Sequence, residues 1–441
     1  KLVPTYDLDG DGKLSSAEAA KVERLDVSDK TKDERNKIRS LSGIEYFTGV
    51  THLNCEYNEI RSLDLSKNVK LSTLLCSCNN LRKINLKNNI QLDSLSCSNN
   101  SIEELDLSKN KELLILSCMN NKELKSLNTS KNKKLTALDF MGCPNIEKMN
   151  LSKNILLEEL YCGAINAIKL DFSKNKNLKV LYCGSKTLKK IDLSKNLNLE
   201  VLHCTFTSIE ELDLSNNTKL NTLRIDRNSN LKNVDLSKNT NLESLSCEEI
   251  SIEKLDLSNN SKLEYLSCGS NKLEILNISK NVNLKDISCY RNLLTNVDVS
   301  NNPLLKSLRC HSNNIKNLDL SNNPNLEKLD CADNLLTDLD VSNNRALKSL
   351  NCSGNRMTKV DLSHNTELDY LSCGDSKLVE IDISNNTKLK YILLLRNPNL
   401  KTVWVWEGFD TNDLQKSGSI YYSASISYND EDKNITFKVK K

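Results

Sequence analysis

Apolar residues recur along this chain in short alternating runs rather than at helical spacing. From Val50 to about Val405 one pattern repeats every 21 or 22 residues, namely L-x-x-L-x-C-x-x-N-x-L-x-x-L-D-L-S-x-N-x-x. Each copy holds two period-2 segments, L-x-x-L-x-C and L-x-x-L-D-L, and alternation at that period predicts short strands with Leu and Cys facing inwards. The Asn-containing segments between them predict turns. Clean copies begin at Leu71, Leu92, Leu263, Leu284, Leu305, Leu326 and Leu347.

A single repeat is too short to bury both of its apolar faces, so neighbouring coils must stack into one core. The pattern resembles the leucine-rich-repeat family, specifically its bacterial 21-residue class in which both half-repeats look like leucine-rich-repeat strands (the IRREKO type). It is similar to internalin-like cell-surface proteins of anaerobic bacteria. The resemblance implies a mainly β solenoid, a right-handed superhelix of parallel short strands. It also implies an exported protein, lipid-anchored at the bacterial surface or secreted, that recognises a protein ligand or a host or cell-surface component.

The limits of the pattern predict three segments. Residues 1–49 form an N-terminal cap, residues 50–405 a solenoid of about 17 coils, and residues 406–441 a C-terminal β-strand cap. Within the first cap, residues 25–28 (LDVS) already resemble half a repeat. Because the chain begins at Lys1, a signal peptide or lipid anchor is expected upstream.

The C-terminal segment alternates as strands do. Residues 420–441 predict a strand pair or hairpin that covers the last coil. Trp404 and Trp406 precede this segment, and we expect them to protect the sheet edge rather than to bind a ligand.

The sixteen cysteines follow the repeat rather than a disulfide or metal pattern. All but Cys78 and Cys143 fall in one slot, which holds Phe140, Ile225 or Leu394 in coils that lack Cys. A slot that accepts these residues is an apolar core position, where a free Cys acts as a small hydrophobe. Parallel Cβ vectors in stacked coils also suit disulfide geometry badly. We therefore predict a ladder of buried thiols, with Cys78 and Cys143 more exposed.

Two polar columns accompany the core. The Asn that ends the second half-repeat is predicted to form a ladder in which its amide both donates and accepts hydrogen bonds. The Asp of L-D-L is expected to face solvent, where neighbouring Lys side chains such as Lys67 and Lys109 offset its repulsion. These columns include Asn68, Asn110, Asn196, Asn260, Asn323 and Asn386, and Asp106, Asp192, Asp256, Asp319 and Asp361.

The twelve residues from Asp7 to Glu18 (DLDGDGKLSSAE) resemble an EF-hand calcium loop at each diagnostic position, including Gly12 at the sharp turn. Ser16 to Arg24 is predicted to be the exiting helix. Six residues precede the loop, so it is expected to be a dockerin-like or cap half of an EF-hand that holds one structural calcium ion. The ligands that the resemblance implies are Asp7, Asp9, Asp11, Lys13 through its carbonyl, Ser15 through a water, and Glu18.

Slots that vary between copies are available for recognition, whereas slots that repeat hold the coil together. The variable slots flank the Cys strand, and aromatic residues and Arg there are typical of interface hot spots. Drift on a tolerant surface is the alternative interpretation. The first candidate ligand-binding cluster is Tyr161, Tyr182, His203, Phe206, Arg224 and Arg227. The second is Tyr265, Tyr290, Arg291, Arg309 and His311.

The composition reduces the number of function classes that the chain could belong to. Only 12 Gly, 5 Pro and 5% aromatic residues fit one unit copied many times. The 61 basic and 58 acidic residues leave a net charge of +3 without a concentrated basic stripe, which disfavours nucleic acid as a partner. No apolar run is long enough to cross a membrane.

Catalysis is disfavoured by the same sequence. The four His lie on different coils, and no catalytic motif is present, so no enzyme activity is expected. A monomeric protein-binding surface protein is the favoured prediction. A glycan-binding protein, with Tyr161 and Tyr182 against sugar rings, and a purely structural surface component remain as alternatives.

Overall fold

The computed structural model describes residues 6–31, 37–166, 170–409 and 435–440. These residues form two compact units that divide between Leu220 and Asn221. Each unit is a β-solenoid of parallel strands with almost no helix.

The first unit begins with the cap. Its α-helix α1 spans Ser16–Ala19, and a 3₁₀ turn spans Ile44–Tyr46. The predicted exit helix over 16–24 is wrong beyond Ala19, because strand β1 already starts at Arg24 and pairs with β2. This pairing confirms the half-repeat predicted at residues 25–28. The strands are β1 Arg24–Asp26, β2 His52–Asn54, β3 Thr73–Leu75, β4 Ser94–Ser96, β5 Ile115–Ser117, β6 Ala137–Asp139, β7 Glu159–Tyr161, β8 Val180–Tyr182 and β9 Val201–His203.

The second unit carries two parallel sheets. One contains β10 to β17 with β19, and the other joins β18, β20 and β21. The strands are β10 Thr222–Arg224, β11 Ser244–Ser246, β12 Tyr265–Ser267, β13 Asp286–Ser288, β14 Ser307–Arg309, β15 Lys328–Asp330, β16 Ser349–Asn351, β17 Tyr370–Ser372, β18 Glu380–Asp382, β19 Tyr391–Leu393, β20 Thr402–Val405 and β21 Thr436–Val439.

Strand β21 covers the C-terminal edge by pairing in parallel with β20. The indole N–H of Trp404 donates to Glu380 Oε2 at 3.2 Å, and Trp406 packs edge-on against Phe409 with ring centroids 4.8 Å apart. Both Trp therefore pack at this edge, as expected. The other strand of the predicted hairpin lies outside the described residues.

The core follows the repeat. The middle residue of each strand in the two long ladders is buried, and the Cys slot next to it is buried whether it holds Cys or, in other coils, Phe140, Ile225 or Leu394. All sixteen cysteines are free thiols, which confirms the cysteine ladder. Cys78 is half-buried, but the expected exposure of Cys143 is wrong.

Cys143 is buried because it occupies the slot that Asn holds in the preceding coils. Its thiol donates to the carbonyl oxygen of Cys118 at 3.4 Å. Asn121, one coil earlier, makes the matching bond from Nδ2 to the carbonyl oxygen of Cys97 at 3.1 Å. A thiol thus replaces an amide donor in the turn.

The two Asn columns differ in how fully they are satisfied. In the first half-repeat, Asn79 Nδ2 donates to the Cys55 carbonyl at 2.9 Å and its Oδ1 accepts from the Ile60 N–H at 2.9 Å. In the second half-repeat, Asn110 Nδ2 donates to the Asn89 carbonyl at 2.8 Å. Its buried Oδ1 has no hydrogen-bond partner among the described residues, and the same holds for Asn68, Asn196 and Asn260. The prediction that this column also accepts hydrogen bonds is wrong for these amides.

The outward Asp column closes turns. Asp106 Oδ1 accepts the N–H of Ser108 at 2.9 Å, and hydrogen bonds from this Ser lower the pKa of the carboxyl group, with a smaller contribution from Lys109. The Ser after each L-D-L therefore contributes more than the Lys that we expected to offset repulsion. The same turn bond occurs at Asp192, Asp256, Asp319 and Asp361.

Candidate functional site

The outward row formed by the third residue of each strand holds an aromatic stack in the first unit. Parallel in-register pairing aligns Asp139 with Tyr161, Tyr161 with Tyr182, and Tyr182 with His203. The Tyr161 and Tyr182 ring centroids are 4.9 Å apart, and those of Tyr182 and His203 are 4.0 Å apart. Because each ring is carried by a strand of a packed ladder, the stack is held in place by the scaffold.

The first-residue row beside the stack is apolar at two strands and acidic at the third. Val180 and Val201 are half-buried, whereas Glu159 is exposed and accepts a hydrogen bond from the Tyr161 hydroxyl at 3.3 Å. Phe206 follows β9 in a left-handed conformation (φ 56°) with 45% of its surface exposed. The sequence-predicted residues Tyr161, Tyr182 and His203 thus form one row, and Phe206 lies in the turn after it.

Two carboxylates border this row, and the sequence analysis missed both. Asp139 Oδ1 accepts from the Met141 N–H at 3.1 Å, Oδ2 accepts from Ser117 Oγ at 3.1 Å, and burial raises the pKa of the carboxyl group. Burial, and then the nearby carboxylates of Glu159 and Asp139, raise the pKa of Tyr161. A departure from the Ser that is commonest in this slot was the available signal at Asp139.

Within the part of the chain that the structure describes, neither carboxylate forms an ion pair. The salt bridges of the described residues include neither Asp139 nor Glu159, and the nearby Lys179 pairs with Glu158 at 2.7 Å. Glu158, and then Glu200 and Glu159, raise the pKa of Lys179, so Glu159 has a lysine nearby. Among the described residues, the bordering carboxylate on which no cation acts is Asp139.

The predicted Arg224 and Arg227 belong to the second unit and are both in ion pairs there. Arg224 Nε lies 2.7 Å from Asp226 Oδ2, and Arg227 Nε lies 3.0 Å from Glu249 Oε1. Asp226 also accepts from Ser246 Oγ at 2.6 Å. These guanidinium groups are held by carboxylates of their own unit.

The second predicted cluster centres on Tyr290. Its ring stacks on His311 with centroids 4.9 Å apart and lies over Gly269, where a Cβ atom would come within 2.5 Å of the ring. Its hydroxyl donates to Glu248 Oε2 at 2.9 Å. The structure therefore brings Tyr290 and His311 together, and it fixes the Tyr290 ring by internal contacts.

The charged members of this cluster sit at its edge. Arg309 Nη2 lies 3.7 Å from Asp286 Oδ1, and Asp330 is its register partner on the next strand. Arg291 has a left-handed conformation (φ 50°) in the turn after β13, and Tyr265 is 50% exposed on β12.

The acidic N-terminal loop gathers three of its six predicted ligands. One carboxylate oxygen each from Asp7, Asp9 and Asp11 lies within 4.8 Å of the others. Gly12 takes a left-handed conformation (φ 79°), and its N–H donates to Asp7 Oδ2 at 2.8 Å. The Lys13 N–H donates to Asp11 Oδ1 at 2.8 Å.

Glu18 closes the loop through hydrogen bonds. Its carboxylate accepts the N–H groups of Leu8 at 2.5 Å and Ser15 at 2.9 Å, and Ser15 caps α1 in return. Hydrogen bonds from Ser15, and then from the backbone of Leu8, lower the pKa of Glu18 to about 2. An ionised carboxylate at the start of the helix is the form that an oxygen-preferring cation would bind.

The chain was compared with known proteins and structures. No protein-family model and no curated protein matched it. A leucine-rich-repeat protein of Leptospira interrogans aligns over 96% of this chain and 97% of its own, with 17% identity and a TM-score of 0.60. YopM of Yersinia enterocolitica aligns over 95% of this chain and 92% of its own, with 19% identity and a TM-score of 0.53.

A third solved structure is the functional domain of InlJ from Listeria monocytogenes, which includes a cysteine ladder. It aligns over 90% of this chain and 72% of its own, with 28% identity and a TM-score of 0.47. The fold likeness rests on the other two structures, and it places the chain in the leucine-rich-repeat solenoid class. Among the helices of the described residues, none has the length and apolar character that a membrane span requires.

Proposed function

We propose that this chain is a non-catalytic binding protein that recognises another protein through the strand face of its first unit. The observation that carries the proposal is the row of Tyr161, Tyr182 and His203, which a regular scaffold holds outwards at ring spacings of 4.9 and 4.0 Å. Aromatic side chains fixed in advance lose little entropy on binding, so they are effective anchors.

The scaffold supports binding rather than catalysis. Coils that stack in register offer an open face, whereas catalysis favours an enclosed site from which water is excluded. His203 stacks on Tyr182, and His311 stacks on Tyr290. Both imidazoles thus pack against aromatic rings on an open face. His311 Nδ1 also lies 3.2 Å from Ser312 Oγ, but this pair has no enclosing pocket of the kind that catalysis favours.

A glycan is a weaker candidate for the ligand. A sugar ring inserted between two aromatic rings needs about 7 Å, twice a van der Waals contact. The rings of this row are 4.0 to 4.9 Å apart and tilted by 35° to 43°, so a sugar ring does not fit between them. A ligand would have to contact the outer side of the row, which suits one flat or cationic group better than a chain of sugars.

A double variant tests the proposal. Tyr161→Ala/Tyr182→Ala and wild-type protein are immobilised and exposed to surface proteins extracted from epithelial cells, and the captured proteins are compared by mass spectrometry. Tyr370→Ala/Tyr391→Ala is the matched control, because these two Tyr form an outward pair with centroids 6.4 Å apart in the second unit. A partner retained by wild type and control but lost from the first variant supports the proposal.

Equal capture by all three proteins contradicts protein recognition by this row. Binding to a glycan array that depends on Tyr161 and Tyr182 would instead favour the glycan alternative. Absence of dependence on these residues in both assays would favour a purely structural surface component.

We further propose that the N-terminal loop binds one structural calcium ion. The convergence of Asp7, Asp9 and Asp11 supports it, because Ca²⁺ prefers carboxylate oxygens. Glu18, Ser15 and the Lys13 carbonyl would complete the ligand set implied by the EF-hand resemblance. The ion would tie the loop to the first coils, since α1 leads directly into β1.

Thermal unfolding in calcium and in chelator tests this second proposal. Calcium at about 100 times its Kd adds about 2.7 kcal/mol, which raises the Tm of the first unit by roughly 5–10 °C. Asp7→Asn/Asp9→Asn should abolish the calcium response. Asp64→Asn/Asp106→Asn, in the outward Asp column, should retain it. A response that survives the first variant would contradict the assignment.

We also propose that the protein acts outside the cell, at a bacterial surface or after secretion, as a monomer. The proposal is supported by the outward row, which suits an encounter with a large partner. Cleavage of the chain by protease added to intact cells, or its recovery from the medium, would support this location. Complete protection in intact cells with no secreted protein would contradict it.

A further inference from the structure

We infer that the partner contributes a cationic side chain, an arginine guanidinium or a lysine ammonium, which sits against the open face of Tyr161 between the carboxylates of Asp139 and Glu159. The inference rests on the proposed function and names the chemistry that the aromatic row recognises. It is based on the residues that surround Tyr161 at the end of the aromatic row.

The row ends at Tyr161 because the next strand carries no ring. Tyr182 packs on one side of Tyr161, with centroids 4.9 Å apart and the rings tilted by 43°. The register partner on the other side is Asp139, a short side chain tied down by the Met141 N–H and Ser117 Oγ, both at 3.1 Å. The second face of Tyr161 is therefore bounded by a carboxylate.

Glu159 lies at the hydroxyl end of the same ring. It precedes Tyr161 by two residues on β7, is exposed, and accepts the Tyr161 hydroxyl at 3.3 Å. A group placed on the ring would meet both carboxylates. An aromatic face and two anions together favour a cation. The ring quadrupole is negative over the face of the ring, and charge-assisted hydrogen bonds to the carboxylates strengthen the attraction.

Among the described residues, the second unit places a cation beside the Asp of this strand slot, and the first unit does not. Asp330 occupies the same strand slot in the second unit, and its register neighbour is Arg309. The Arg309 and His311 charges lower the pKa of Asp330 against the larger effect of burial. Asp139 has no such neighbour, because its register partner on β5 is Ser117.

A partly buried carboxylate without a cation is unfavourable for folding, since desolvation penalises the charge and no ion pair offsets it. The raised pKa of Asp139, caused by burial, agrees with this cost. A residue that costs stability in the free protein and gains a partner in a complex is characteristic of a binding site.

A peptide titration tests the inference without the natural partner. Acetyl-Gly-Ser-Arg-Ser-Gly-amide is added to wild-type protein labelled with ¹³C in its tyrosine rings, up to tens of millimolar, because one side chain supports a Kd on the order of millimolar. We expect the Tyr161 and Tyr182 resonances to shift and saturate. The same peptide with citrulline, which keeps the shape but not the charge, should bind at least about tenfold more weakly.

Variants separate specific binding from general attraction. Asp139→Asn/Glu159→Gln should weaken the arginine peptide at least about tenfold, whereas Asp330→Asn, in the same slot of the second unit, should leave its affinity unchanged. Tyrosine resonances that do not shift, or that shift equally for the citrulline peptide or in the double carboxylate variant, would overturn the inference.

The capture experiment keeps the two proposals apart. If Tyr161→Ala/Tyr182→Ala loses the partner but Asp139→Asn/Glu159→Gln retains it fully, the row binds protein and the cationic contact is wrong. If the aromatic variant also retains the partner, the proposed function itself fails.

Discussion

The two units use one scaffold but leave their strand faces in different states. In the second unit, outward polar groups pair with residues of the same unit. Arg224 pairs with Asp226, Arg227 pairs with Glu249, and the Tyr290 hydroxyl donates a hydrogen bond to a glutamate. In the first unit Tyr161 stands beside Asp139, for which the described residues supply no cation. A face that satisfies its own groups offers little to a partner, so the incomplete face is the stronger candidate for recognition.

This difference does not come from the coils themselves. Both units stack three-residue strands in parallel register, and both bury the central residue and the Cys slot. A substitution in an outward slot therefore changes the chemistry of the face without changing the ladder beneath it. We therefore expect substitutions in the shared core to change stability most, and substitutions in the outward slots that distinguish the two faces to change it least.

Thiol reactivity should show that the two cores are equivalent. Burial raises the pKa of Cys97 in the first unit and of Cys289 in the second to about 12. At pH 8 only about one thiol in 10⁴ is then ionised, against about a quarter of a free thiol with pKa near 8.5, so both should alkylate at least about 10³-fold more slowly than a free thiol. Native-state labelling with iodoacetamide followed by mass spectrometry should modify the half-buried Cys78 first. Fast labelling of either ladder thiol would contradict a closed core in that unit.

Core truncation should destabilise both units similarly. Leu160 of β7 and Leu329 of β15 are buried strand centres, with 0% and 2% of their surfaces exposed. Leu→Ala at either position should lower the free energy of unfolding by about 2–5 kcal/mol, because the methyl groups are lost and a cavity remains. Tyr161→Ala, one residue away, should cost less than about 1 kcal/mol. Urea denaturation measures all three. Equal losses at Leu160 and Tyr161 would show that the aromatic row is part of the core.

The sequence was most informative where a slot is repeated many times. Strand positions and the buried Leu and Cys slots could be predicted because each slot is sampled in over a dozen coils. Single departures were harder to interpret. Cys143 was expected to be exposed because it leaves the Cys slot, yet it fills the Asn slot and takes over its donor function.

The candidate site was only half predictable for a related reason. Tyr161, Tyr182 and His203 stand out because aromatic residues are rare in a polar slot. Asp139 and Glu159 look like any solvated charge in the sequence, and their lack of a cation depends on which residues lie across the register on adjacent coils. The Asn Oδ1 atoms of the second column were expected to accept hydrogen bonds, and this was wrong. Which backbone groups face an Asn side chain depends on the geometry of the turn, and the spacing of residues in the sequence does not specify that geometry.

Placing an arginine at the register neighbour of Asp139 should give the first unit the charge pairing that the second unit has at Asp330. Ser117 lies across from Asp139 as Arg309 lies across from Asp330. Ser117→Arg should place an internal cation beside Asp139 and weaken the arginine peptide about tenfold, while leaving the free energy of unfolding within about 0.5 kcal/mol. The tyrosine-resolved titration measures the first effect and urea denaturation the second. Ser117→Gln controls for bulk, and equal weakening by Gln and Arg would attribute the effect to size rather than charge.

The smallest expected effect is a pH-dependent change in Tm when Asp139 is replaced by Asn. Burial raises the pKa of Asp139 above its ordinary value of 3.8, so the folded chain holds that proton more tightly than the unfolded chain. The contribution to stability is then fully present below pH 3.8 and is lost as the pH rises through the folded pKa. Asp139→Asn should therefore raise the Tm at pH 7 and leave it nearly unchanged near pH 3.

The same substitution in the second unit separates burial from charge pairing. Asp330→Asn also removes a partly buried carboxylate, but one whose ionised form is favoured by His311 and Arg309. Its gain in Tm at pH 7 should be smaller than that of Asp139→Asn. If the two variants gain equally, or if Asp139→Asn lowers the Tm at pH 7, the first face is as complete as the second. A gain at Asp139 together with weaker peptide binding would instead mean that this carboxylate is kept for a partner and not for the fold.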